Sequence, residues 1–173
     1  SDHEQGGRIA AEKMRECGCR KVLQLSDLSA KKISSARSGV VFTRLMQEYG
    51  IDVVTEKIVW DEVIHYEKAM KRVKDILVSY PELDGIMAND LCAAAFLKTA
   101  YEMGRQVPED LKILSYDGTF VTDFNFCTMS AIVQDVEKIA VDAVEVLLKL
   151  INHQPLVKKE IYIPVYFKKG DTL

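Results

Sequence analysis

Four apolar, β-prone runs in this chain end in an aspartate: Leu25-Ser26-Asp27, Val59-Trp60-Asp61, Ala88-Asn89-Asp90 and Ser115-Tyr116-Asp117. With the Asn89 amide and the Trp60 indole, these carboxylates make a set suited to a polyol or sugar. They offer bidentate partners for vicinal hydroxyls and a flat apolar face for the C–H side of a ring. The competing reading is that Asp and Asn behind a strand cap the next helix, accepting from its first unpaired amides. Asp61 and Asp90 fit capping best. Tyr116-Asp117 runs into Gly118-Thr119, a turn and not a clear helix start, so Asp117 is the one expected to point at something other than backbone.

The elements that must position these residues alternate. Residues 6–16 read as a helix closed by Gly18, and residues 21–25 as a strand. Ser34 or Ser35 caps a second helix, with Val41, Leu45 and Tyr49 in one stripe, Phe42 and Met46 widening it, and Gly50 as its stop. A strand over 51–59 follows, then a helix marked by Tyr66, Met70, Val73, Leu77 and Tyr80 at helical spacing and ended by Pro81. Residues 83–88 form a third strand, 91–103 a helix ended by Gly104, 111–116 a fourth strand and 129–133 a fifth. A last amphipathic helix spans about 136–151, with Val136, Ile139, Ala140, Ala143, Leu147 and Leu150 on one face. Residues 160–167 alternate as a strand that Pro164 confines to a sheet edge. The right-handed crossover preference winds such β-α-β-α repetition into a parallel sheet, and ligands of such sheets sit outside the carboxyl ends of the strands.

The 173 residues, 48% hydrophobic, supply ample core for one domain or a little more. Against 26 Asp+Glu stand 23 Lys+Arg, a formal charge of -3 with no basic stripe, so this stretch is not expected to hold nucleic acid. No run is long and apolar enough to span a bilayer and the opening Ser1-Asp2-His3-Glu4-Gln5 is unlike a signal peptide, which gives the expectation of a cytoplasmic chain without a membrane partner. Cys17, Cys19, Cys92 and Cys127 lack metal-ligand spacing and read as free thiols, Cys17 in a stripe with Ala10 and Met14. His3, His65 and His153 read as surface or helix-end residues, and no metal or cofactor is expected.

Longer motifs add a resemblance. The segment Gly85-Ile-Met-Ala-Asn-Asp-Leu-Cys-Ala-Ala-Ala-Phe-Leu, the turn Gly104-Arg-Gln-Val-Pro-Glu-Asp leading to Ser115-Tyr-Asp117, and Val133-Gln-Asp135 ahead of Ala143-Val144 are similar, in order and spacing, to the effector-binding core of the lactose-repressor (LacI/GalR) family of bacterial transcription regulators. The start, residues 2–7, resembles a crossing from that core's first subdomain into its second, and residues 168–173 stand where members usually end. The resemblance covers essentially the whole chain but only the later part of such a regulator. It implies an α/β, periplasmic-binding-protein-like fold with a parallel sheet flanked by helices, mainly the second lobe of a two-lobed core. Residues 1–132 would form the second subdomain, 133–155 a helix returning to the first, and 156–173 the closing edge strand.

The same resemblance implies a sugar or sugar-phosphate effector, a homodimer, and DNA contact only through an amino-terminal helix-turn-helix that this stretch does not contain. Carried over residue by residue, Asn89 and Asp117 match positions that hydrogen-bond effector, Trp60 the position where lactose-repressor-type members stack an indole on sugar, and Gln134 a pocket-lining amide. The second helix departs from the pattern. The family's Arg-x-x-Gly-Phe would put its clamping arginine at Ser38, with Phe42 in register, so either the helix start is shifted and Arg37 still reaches the pocket, or that clamp is absent and the ligand differs from a plain sugar. Ser34 and Arg37 stand as the candidate ligand-binding residues of this helix start. Two alternatives stand beside this reading. One is a sugar-binding protein of a transport system with the same fold. The other is a haloacid-dehalogenase-like phosphatase, suggested by Tyr116-Asp117-Gly118-Thr119, although Ser115 occupies the position where its chemistry needs an aspartate nucleophile.

Overall fold

A computed structural model describes residues 1–27, 35–156, 158 and 160–173. Its centre is a six-stranded sheet in the order β2-β1-β3-β4-β5-β6. The strands are β1 (Lys21–Asp27), β2 (Asp52–Ile58), β3 (Gly85–Asn89), β4 (Lys112–Asp117), β5 (Ser130–Gln134) and β6 (Val165–Lys168). All neighbours pair in parallel except β5 and β6. The helices are α1 (His3–Glu16), α2 (Ser35–Glu48), α3 (Trp60–Ile64), α4 (Tyr66–Ser79), α5 (Asp90–Glu102) and α6 (Val136–Ile151).

Strand alternation divides the core into two layers. Successive side chains of a strand point to opposite faces, so Val22, Met87 and Leu114 join Met14, Phe42 and Met46 under α1 and α2. Their neighbours Leu23, Ile86 and Ile113 join Val73, Leu77, Phe96 and Leu97 under α4 and α5. In α2 the centre of the buried stripe is Phe42 and Met46, both fully buried, with Val41, Leu45 and Tyr49 at its margin, a rotation of the expected face.

The chain lays β2 on one side of β1 and then returns to place β3 on the other. A sheet built this way opens a crevice at the carboxyl ends of the strands where the order reverses, here between β1 and β3. The registers bring those ends level: Asp27 pairs with Ile58, Asn89 with Tyr116 and Asp117 with Val133.

Several expectations change. The first helix begins at His3, not at residue 6, because Asp2 caps it by accepting from the Gln5 amide at 2.9 Å. His3 is consequently a helix-end residue but a buried one, and burial pulls its pKa below the ordinary value. The short α3 was not expected from the pattern. The closing strand is only Val165–Lys168, since Pro164 has no amide to donate. Residues 160–163 instead run past the sheet, with the Ile163 carbonyl accepting from the Asp2 amide at 2.7 Å. The carboxyl tail is pinned through Thr172, whose hydroxyl donates to the Ile113 carbonyl at 2.6 Å and accepts from the Ser130 amide at 2.9 Å.

The amphipathic helix over 136–151 forms as expected, but no residue of α6 is buried. It does not fold back on its own sheet. Leu147, Leu150 and Val136 stay exposed, and so do Val141, Val144, Leu148 and Ile151 on the flanking face. Among the described residues no helix is long and apolar enough to cross a membrane.

Candidate functional site

The site is built where three central strands end. β3 delivers Asn89 in an extended conformation, and its side-chain oxygen accepts from the Cys92 amide at 2.9 Å, capping α5. Asn89 therefore does the capping that Asp90 was expected to do. The cap uses the carbonyl end of the amide, and among the described residues its NH2 group makes no hydrogen bond, which leaves it as a donor at the sheet edge.

β4 ends in Asp117, whose backbone adopts φ 123°. A non-glycine residue in that region costs of order 1–3 kcal/mol and persists only where surrounding contacts over-determine it. Gly118 follows with φ 72°, and a Cβ there would stand 2.6 Å from the Val133 side chain, so the chain can turn this tightly beside β5 only with glycine. The turn aims the Asp117 carboxylate at β5, where it accepts from Gln134 Nε2 at 2.5 Å. The Gln134 Oε1 in turn accepts from the Ser1 hydroxyl at 2.6 Å. Burial, with a smaller push from the nearby Asp90 carboxylate, raises Asp117 to about 6, and the Gln134 hydrogen bond opposes the rise.

Behind this rim lies a buried polar support. Tyr116 is almost fully buried, its hydroxyl 3.2 Å from His3 Nδ1 and hydrogen-bonded with Ser38. A Cβ on Gly6 would fall 2.2 Å from that hydroxyl, so α1 approaches the tyrosine only because residue 6 has no side chain. Burial pushes the Tyr116 pKa up to about 12. Ser38, where the family pattern would carry its arginine, is thus a buried prop for the residue preceding Asp117.

Asn89, Asp117 and Gln134 share one edge, with Asp117 and Gln134 in direct contact. Arg37 stands apart from them. Its guanidinium donates to the Tyr162 hydroxyl at 3.4 Å, and that hydroxyl donates to Glu160 at 2.6 Å, so the exposed arginine faces the 160–163 segment. Among the described contacts Arg37 meets Tyr162 and none of the three rim residues. Ser34 lies outside the described residues, as does the side chain of Trp60, whose backbone opens α3. Asp61 is engaged on the surface, accepting from Lys68 at 2.6 Å with His65 at 3.3 Å.

Sequence reasoning missed Asp90. It is buried and accepts from the Ser115 hydroxyl, from the Gly118 amide at 3.2 Å, and from the Thr119 amide and hydroxyl at 2.6 and 2.7 Å. One signal was present: an Asn and an Asp in succession at a helix start cannot both be the N-cap, and the second is carried one residue further round towards the next strand. Ser115, the residue on which the phosphatase alternative turned, is buried with its hydroxyl given to Asp90.

Comparison with known proteins agrees with this architecture. Residues 11–173 match the family described as periplasmic binding protein-like domain, and the chain belongs to that family, in the form of a LacI-type effector-binding core. The ribose operon repressor of Lactococcus lactis is 26% identical over 176 residues, covering all of this chain and 52% of the repressor. The ribose operon repressor of Bacillus subtilis is 37% identical over 100 residues, covering 57% of this chain and 31% of that protein. A LacI family transcriptional regulator from Arthrobacter sp. FB24, solved in complex with lactose, superposes with a TM-score of 0.85 at 22% identity, covering 99% of this chain and 64% of the regulator. The chain thus spans about half the length of the Lactococcus repressor.

Proposed function

We propose that this chain is the later part of the effector-binding core of a sugar-responsive transcriptional regulator, and that it contributes one wall of a sugar site. The observation that carries the proposal is the convergence of the Asn89 amide, the Asp117 carboxylate and the Gln134 amide at the carboxyl ends of β3, β4 and β5. Such a rim offers donors and acceptors side by side, as adjacent sugar hydroxyls demand. The repressor relatives, named for ribose operons, and the lactose-bound structural neighbour support the same reading. Trp60 belongs to the proposed site by resemblance, and Ser34 and Arg37 are candidates at the start of α2, with Arg37 facing Tyr162. DNA contact is assigned to protein outside this chain, and no catalytic role is proposed. Sugar bridging two lobes would favour a closed form and shift the regulator between DNA-competent and incompetent states by its differential affinity for them.

A thermal-shift screen of D-ribose, other pentoses, hexoses, disaccharides and their phosphates on the full-length protein tests this. One of these sugars is expected to stabilise it by about 2.7 kcal/mol at a hundred times its Kd. No stabilisation by any of them would refute the proposal.

The homodimer is also a proposal, and it belongs to a surface distinct from α6. Tyr66, Tyr101, Phe120, Phe124 and Phe126 are between 56% and 82% exposed and form a contiguous patch: Tyr101 packs on Phe126 at 5.4 Å and Phe120 on Phe124 at 5.6 Å. Phe124, Phe126 and Tyr66 also line a groove of about 520 Å3 with Val63, Met70 and Leu91. At roughly 200 Å2 per ring, the exposed part of the five rings is about 700 Å2, close to the ~800 Å2 per partner of a standard interface. Protruding rings beside an apolar groove suit a two-fold contact, in which each patch supplies both knob and hole to its copy. Full-length protein is expected to sediment as a dimer and the Phe124→Asp, Phe126→Ser variant as a monomer; an unchanged dimer would move the interface elsewhere.

A further inference from the structure

Asp90 touches no position matched to effector, yet it contacts the chain on both sides of Asp117. On one side it holds the Ser115 hydroxyl, and on the other the Gly118 amide and the Thr119 amide and hydroxyl. All of these donors converge on one buried carboxylate that opens α5, directly after Asn89. Asp117, between the anchored residues, sits at φ 123°, a conformation the chain abandons unless its neighbours are fixed.

We infer that Asp90 is a positioning residue for the sugar site: it ties the turn after β4 to the start of α5, and so holds Asp117 in its strained conformation at a set distance from Asn89. The ground is geometric. A carboxylate accepts at two oxygens, and here both are used, Oδ1 by Ser115 and Gly118 and Oδ2 by Thr119 twice. No neutral side chain of this size reproduces that, because the carboxamide of Asn has one acceptor oxygen and turns two N–H donors towards groups that are themselves donors. Thr119 adds a second duty, its hydroxyl also accepting from the Val121 amide at 3.4 Å to start the 3-10 turn over Phe120–Thr122. The linked set of Asn89, Asp90, Ser115, Asp117 and Thr119 therefore moves as one unit, and a sugar bound to Asp117 reads the spacing that Asp90 sets. Its effect on sugar affinity rests on the proposed function; its effect on Asp117 does not.

The test uses the full-length protein with Asp90→Asn, Thr119→Val and Thr119→Ser. In crystals grown without sugar, Asp117 of Asp90→Asn is expected to leave the left-handed region and to lose its hydrogen bond from Gln134. Calorimetry with D-ribose is expected to give a tenfold or larger loss of affinity for Asp90→Asn and for Thr119→Val, with Thr119→Ser, which keeps the hydroxyl, within twofold of the parent. Retention of the positive φ in Asp90→Asn overturns the inference, and so does a D-ribose Kd within twofold of the parent. A parent protein that ignores D-ribose counts against ribose as the effector and leaves the backbone angle, read with no sugar present, to decide the role of Asp90.

Discussion

Replacing Asp117 by alanine in the full-length protein is expected to abolish the response to sugar without destabilising the fold. A hydrogen bond to a charged group contributes about 1.5–3 kcal/mol. A carboxylate holding two adjacent hydroxyls therefore accounts for about 3 kcal/mol or more, a loss of at least a hundredfold in Kd at 1.4 kcal/mol per decade. Among the described residues the unliganded fold loses the Gln134 contact, and it is relieved of a charge that its surroundings disfavour. The sign follows from the raised pKa. A carboxyl at about 6 when folded and near 3.8 when unfolded contributes stability that is complete below 3.8 and lost as pH rises through 6. At pH 7.5 Asp117 is ionised at the expense of the fold, so Asp117→Ala is expected to melt no lower than the parent there, and relatively lower at pH 4.5. Sugar affinity of the parent should climb between pH 5 and 7.5 as the carboxylate forms. Melting curves at pH 4.5 and 7.5 check the first statement and titration calorimetry between pH 5 and 7.5 the second, and an Asp117→Ala protein whose affinity stays within twofold of the parent would remove Asp117 from the site.

Leu147→Asp is expected to act in opposite directions in two settings. In this chain Leu147 is exposed on a helix with no buried residue, so the substitution puts a charge into water and removes apolar surface that would otherwise drive association. Here the effect on stability is expected to be small and the variant better dispersed in solution. In the longer protein the apolar faces of α6 are proposed to pack on the other lobe. There the same change forfeits a buried leucine, about 1.5–3 kcal/mol, and adds the desolvation of a carboxylate. Chemical denaturation of both forms measures the two effects. Equal and small effects would mean that α6 is solvated in the complete protein too.

Most of the architecture could be read from periodicity because the residues that form it are buried on repeating intervals. The β-α alternation, the parallel sheet and the helix ends at Gly18, Gly50 and Gly104 all follow from patterns spanning a few residues. The short α3 and the late start of β6 did not, since the first has too few residues for a stripe and the second turns on where Pro164 breaks a pattern of alternation that otherwise reads as strand.

For the site, the strand-end polar residues could be named from the sequence, but their partners could not. That Asp117 meets Gln134 depends on the register of β4 with β5, and that Asp90 holds Thr119 depends on the pairing of β3 with β4. Neither register is encoded within either segment alone. Arg37 illustrates a further limit: a shift of one residue in a helix turns a side chain by about 100°. Here the arginine reaches Tyr162, while Ser38 is buried against Tyr116.

The central claim is that the carboxyl ends of β3, β4 and β5 form one wall of a sugar site. A crystal structure of the full-length protein with the sugar that stabilises it most tests this directly. Sugar hydroxyls are expected within about 3.2 Å of the Asn89 amide and the Asp117 carboxylate, with Gln134 lining the same pocket. A sugar bound with none of these three in contact would contradict it.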